Sequence, residues 1–161
     1  MSAPRFAAAA SELLTPADLA KMSGLAFIQG IRDGNLPHPP ICETLGFRLA
    51  EAEAGRVVFE GRPGFESYNP LGAVHGGWFG AVLDSCMACA VQTTLAQGRG
   101  YTTLEYGVSI LRPAFEDGPL LRATGEVVSS GRRVATARGT MVDEAGRTVA
   151  TGTTTCLVFD L

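Results

Sequence analysis

From residue 76 to about 96 the chain carries almost no charge, and small residues such as Gly80, Ala81, Ala88 and Ala90 recur throughout, so that no face is reserved for solvent. A helix patterned in this way is buried on every side. After Gly98-Arg-Gly the pattern changes to β-branched runs of about ten residues, at 101–112, 120–129, 133–142 and 148–159. Turn chemistry separates them as Glu116-Asp-Gly-Pro, Ser129-Ser-Gly-Arg and Asp143-Glu-Ala-Gly. These runs predict an antiparallel meander.

Upstream, Thr15-Pro-Ala-Asp supplies a capping hydroxyl, a proline at the first helical position and an early acid. Leu19, Met22, Ala26 and Ile31 follow at helical spacing, which predicts one helix ending near Gly34. The prolines of Asn35-Leu-Pro-His-Pro-Pro then force an extended connector holding His38. Residues 45–63 read as a hairpin turning at Glu53-Ala-Gly, and residues 63–70 as loop. The fold class is α+β: a curved antiparallel sheet around one long central helix, with an extra helix in front. Residues 1–14 are expected as a flexible tail and 15–161 as a single domain, since no repeat or compositional break divides them.

With 46% hydrophobic and 18% charged residues, a chain of 161 residues can bury a full core. A formal charge of −3 without basic runs excludes the electrostatic footprint of a nucleic-acid or anionic-membrane binder. The apolar window 73–91 approaches membrane-spanning length, but it contains His75, glycines and a central Asp84, which favours burial in protein over lipid. The four cysteines are too few and scattered for a disulfide framework, and with no secretory leader the expected location is the cytoplasm. Cys86 and Cys89 have redox-like spacing but sit inside the predicted helix, so they read as packing residues. Two distant histidines and no acidic cluster predict no metal.

The candidate chemistry gathers where the loop meets the buried helix. Asn69-Pro-Leu-Gly-Ala-Val-His75-Gly76-Gly77 leads straight into it, and a helix start offers unpaired N–H groups and positive partial charge. Gly76 and Gly77 clear space for a ligand carbonyl to reach the backbone, while His75 and Asn69 can bond it or shape the loop. The same residues would also serve as a plain turn and cap. Asp84 tips the balance, because a carboxylate halfway along an apolar helix costs stability unless it is bonded or useful. His75 and Asp84 are nine positions apart, about 13 to 14 Å of helical rise and half a turn out of phase. Within one chain they cannot serve one atom, so a shared reaction centre requires a two-fold dimer. On the next strand, alternation places Thr103, Glu105 and Ser109 on one face and Leu104, Val108 and Ile110 on the other. Thr103 is a candidate for holding water, and Glu105 is a lesser rival to Asp84.

The run from Tyr68 through His75-Gly-Gly to Asp84, with Tyr101-Thr-Thr-Leu-Glu-Tyr and Leu111-Arg-Pro-Ala, resembles the PaaI-like branch of the hotdog-fold acyl-CoA thioesterases over about residues 45–159. The resemblance implies that Asn69, His75 and the Gly76 N–H polarise a thioester carbonyl. It implies that Asp84 of the partner subunit acts as base or nucleophile, with Thr103 assisting. It further implies CoA contacts at Gly131, Arg132 and Arg133, a homodimer that can pair into a dimer of dimers, and hydrolysis of acyl-CoA to a carboxylate and CoA with no further cofactor. Two other activities suit the same fold: acyl-CoA binding without turnover, as a sensor, and hydration or dehydration of an acyl-CoA. The intact Asn69, His75, Gly76 and Asp84 set argues against the first. The half-turn offset of His75 and Asp84 argues against the second.

Overall fold

The computed structural model describes residues 4–161. Helices α1 (Pro16–Leu19), α2 (Gly24–Arg32) and α3 (Pro40–Thr44) precede a hairpin of β1 (Phe47–Glu53) and β2 (Arg56–Gly61). The central helix α4 (Gly76–Thr93) follows, then β3 (Arg99–Ile110), β4 (Leu121–Ser130), β5 (Val134–Val142) and β6 (Thr148–Asp160). The six strands form one antiparallel sheet in the order β1-β2-β4-β5-β6-β3. It wraps α4, whose Phe79, Val82, Leu83, Cys86, Met87 and Val91 are fully enclosed. Together these elements make an α+β hotdog fold.

A row of glycines lets the sheet close on the helix. Gly125, Gly139 and Gly152 are direct cross-strand neighbours on β4, β5 and β6. A Cβ on Gly125 would stand 2.2 Å from the Cys86 carbonyl oxygen, and one on Gly139 would stand 2.9 Å from Leu83. Side chains are therefore excluded where the helix presses deepest into the curve. At its far end α4 is tied to the hairpin turn, where Thr93 Oγ1 accepts from Gly55 N–H at 2.8 Å. Trp78 Nε1 donates to the Leu45 carbonyl at 2.7 Å near the other end.

Four expectations are corrected. The first helix is split in two: Thr15 caps α1, and Ser23 Oγ starts α2 afresh by accepting from Ala26 N–H at 3.3 Å. The break docks Gly24 against α4, where an added Cβ would lie 1.8 Å from the Gln92 carbonyl oxygen. The proline-rich connector ends in α3, because Pro40 occupies the first turn, where a missing N–H costs nothing. The four C-terminal strands are not one meander. β4, β5 and β6 are, but β3 pairs with β6 and becomes an edge, since the ten-residue link 111–120 is long enough to cross the sheet. Finally, of the expected tail, residues 1–3 lie outside the described residues, and its later part is docked: Ala7 N–H donates to the His38 carbonyl and His38 N–H to the Arg5 carbonyl, at 2.9 and 2.8 Å.

Candidate functional site

The loop before α4 is built by its own polar groups. Asn69 Oδ1 accepts from Leu71 N–H at 2.8 Å, closing a tight turn in which Gly72 takes a φ of 81°. The next residues are pinned outward, with Val74 N–H donating to the Ala114 carbonyl and His75 N–H to the Ser67 carbonyl. His75 is the N-cap, and its Nδ1 accepts from Gly77 N–H at 2.8 Å. With Nδ1 accepting, Nε2 is the ring nitrogen left to donate, on an exposed side chain. Gly77 thus spends its N–H on the cap, and the first donor left free by the helix is Gly76 N–H.

Asp84 lies half-buried on α4, where Thr103 Oγ1 donates to its Oδ1 at 3.1 Å. Among the described residues this is the carboxylate's one hydrogen bond. Burial raises its pKa above the ordinary aspartate value, and the Thr103 bond pulls it part of the way back. Thr103 faces the helix by regular alternation from Tyr101, and β3 then carries a bulge: the pairing with β6 shifts between Thr103 and Glu105. The expectation that Thr103 and Glu105 share a face is therefore corrected. The extra residue turns Glu105 to the outer surface, where it accepts from Thr155 Oγ1 at 3.2 Å.

Beyond the bulge, β3 runs antiparallel to α4. Tyr106 packs over Gly80, and Ile110 over Gly76, where added Cβ atoms would each meet the opposing side chain at 3.3 Å. One end of this edge strand thus lies beside the helix N-terminus and the other beside Asp84. Leu104, Tyr106 and Ile110 are exposed along it.

The predicted site residues form three groups. Asn69, His75, Gly76 and Gly77 surround the helix start, and Asp84 and Thr103 meet at mid-helix. Gly131, Arg132 and Arg133 make the exposed β4–β5 turn. Among the described residues of one chain, Gly77 bonds His75 and Thr103 bonds Asp84, and no hydrogen bond joins one group to another. Sequence reasoning missed Arg99, which pairs with Asp160 and donates to the Arg132 carbonyl, adding a third guanidinium to that turn. Its position at the first residue of β3 was the available signal. Burial pushes the Cys89 thiol up to about 12 and the Cys86 thiol higher still, so neither supplies a thiolate at neutral pH.

A model of the thioesterase superfamily matches residues 71–150. A phenylacetic acid degradation-related protein from Ralstonia eutropha is 33% identical, with 81% of this chain and 98% of that one covered and a TM-score of 0.73. A mutant form of the phenylacetic acid degradation protein PaaI from Thermus thermophilus is 30% identical, with 73% and 97% covered and a TM-score of 0.66. A thioesterase family protein from Silicibacter pomeroyi is 29% identical, with 76% and 90% covered and a TM-score of 0.69. No curated protein matches the chain.

Proposed function

The chain belongs to the thioesterase superfamily, as a PaaI-like hotdog member, and from that premise we propose that it hydrolyses acyl-CoA to a carboxylic acid and free CoA in a site completed by two chains. The observation that carries this reading is Asp84, a half-buried carboxylate on an apolar helix with one neutral hydrogen-bond donor and no cationic partner among the described residues. Such a group is costly as structure and suited to chemistry near neutral pH.

The run of β3 along α4 supports a dimer. A two-fold axis passing near Tyr106 and Gly80, the midpoint of that contact, would pair β3 with its copy. It would carry the helix start of one chain to Asp84 of the other. The exposed edge and its apolar side chains suit such pairing. In that arrangement the Gly76 N–H and the helix dipole stabilise the charge that develops on the thioester oxygen, and His75 Nε2–H adds a second donor. Asn69 holds the loop in shape. Asp84 from the other chain takes a proton from water, whose oxygen attacks the carbonyl and displaces the CoA sulfur, or attacks the carbonyl itself to displace that sulfur and form an anhydride that water then opens; its raised pKa strengthens the first role. Arg132 and Arg133, gathered with Arg99, offer guanidinium groups to CoA phosphates beside Gly131. The carboxylate and free CoA leave, and no further cofactor is needed.

The test is thiol release from a panel of acyl-CoA thioesters by the wild type and Asp84→Asn. Turnover that falls by about a thousandfold or more in the variant is expected, as for loss of a catalytic carboxylate. Wild-type turnover that the variant leaves intact contradicts the mechanism. Tight binding without turnover by the wild type would mark an acyl-CoA sensor instead.

A further inference from the structure

A cavity of about 260 Å³ lies beneath the N-terminal helices, outside the machinery described above. Its walls include Phe27, Ile31, Leu36 and Leu49 from the N-terminal half, together with Cys89 of α4 and Tyr101 of β3, and no charged residue lines it. Most of this lining precedes the residues that match the family model.

One wall residue is out of keeping. His38 is 3% exposed, and neither Nδ1 nor Nε2 has a hydrogen-bond partner among the described residues. Its backbone is fixed by Arg5 and Ala7, and the Phe6 ring lies 5.5 Å from its own. Backbone groups of Arg5 and Leu49 lie close enough to act on the imidazole but do not meet hydrogen-bond geometry, and burial lowers its pKa below the ordinary histidine value. Neutral imidazole presents one donor and one acceptor, and buried polar atoms of this kind are almost always paired. His38 also borders a polar recess beside Arg48 and Glu60, so water entering there is the rival partner.

The cavity lies near Asp84, whose charge raises the pKa values of Cys89 and Tyr101 in its wall. A neighbouring cavity of about 400 Å³ shares Leu19, Phe27, Gln92 and Tyr101 with it, and its wall includes Thr103, the residue bonded to Asp84. Along α4, Cys89 lies five residues beyond Asp84, about 7.5 Å of rise. A cavity of about 150 Å³ accommodates a benzene molecule, so this one holds about ten carbons.

Resting on the thioesterase reading, we propose that this cavity receives the acyl group of the substrate, an uncharged group of up to about ten carbons whose distal oxygen hydrogen-bonds to His38. Acyl selection then lies in the N-terminal segment rather than in the matched domain.

The test compares octanoyl-CoA with 8-hydroxyoctanoyl-CoA, with acetyl-CoA as a short reference, for the wild type, His38→Phe, His38→Gln and Ile31→Trp. The wild type is expected to favour the hydroxy thioester in kcat/KM by about tenfold, His38→Phe to erase that ratio, and His38→Gln to keep most of it. Ile31→Trp, which fills the cavity, is expected to lower the octanoyl-to-acetyl ratio by about tenfold or more. No wild-type preference, or an equal ratio in all four proteins, overturns the proposal. Calorimetric binding of the same thioesters to Asp84→Asn separates the two readings. Binding preference that His38→Phe abolishes, without wild-type turnover, upholds the cavity and removes the hydrolase. Turnover of acetyl-CoA with ratios unmoved by His38→Phe and Ile31→Trp does the reverse.

Discussion

At the scale of single residues, the position of Asp84 is expected to have opposite effects on stability and activity. Its pKa is raised in the folded chain, so ionising it opposes folding. The penalty is absent below the unfolded pKa and grows as pH rises through the folded one. Asp84→Asn is therefore expected to raise the melting temperature at pH 7 by about 2–4 °C for each kcal/mol recovered, with the gain vanishing at acid pH, while thiol release is lost. Equal melting curves at pH 7 would contradict this trade. The acid limb of kcat/KM should fall about tenfold per pH unit, around a midpoint above that of an ordinary aspartate. In Thr103→Val the bond that lowers this pKa is gone, so the limb moves to higher pH. A pH profile that does not move would remove Thr103 from the site. Asp84 was legible in the sequence because burial of a charge is unusual under any fold. The facing of Glu105 was not, because simple alternation carries no record of the bulge that separates it from Thr103.

At the scale of elements, the glycine row and the edge strand make separate demands. Gly125→Ala forces a methyl group against the Cys86 carbonyl and is expected to cost about 1–3 kcal/mol or more, read as a lowered melting temperature. Stability unchanged by that substitution would mean the sheet does not close on α4 as described. On β3, Tyr106→Glu places a charge at the centre of the proposed pairing and is expected to convert a dimer to monomers in sedimentation, with activity lost in step. A dimer that survives with full activity would move the interface elsewhere. Helix α4 and all six strands were readable from period and turn chemistry alone. Pairing was not: β3 ends up beside β6 because of a long-range choice that alternation within one strand does not encode. The split of the first helix was written in Ser23-Gly24, a capping hydroxyl followed by a residue able to approach Gln92, but the apolar spacing that continues across it masked the break.

At the scale of the whole molecule, the nine positions between His75 and Asp84 remain decisive. One chain holds the proposed oxyanion donor at the start of α4 and the carboxylate at its middle, and neither the cavities nor the hydrogen bonds described join them. Two chains related through β3 would bring the halves together and create two equivalent sites. The proposed acyl cavity extends the same logic: the matched residues would carry most of the chemistry, and the segment before them would shape what is accepted. The most direct test is complementation between two variants, each inactive alone. Asp84→Asn is mixed in equal amounts with a His75→Ala, Gly76→Pro double variant that lacks the donors, after dissociation and reassociation. Half of the dimers would then be mixed, each with one intact site, so recovery of about a quarter of wild-type thiol release is expected. A mixture that reassembles into dimers and stays inactive would contradict the shared site.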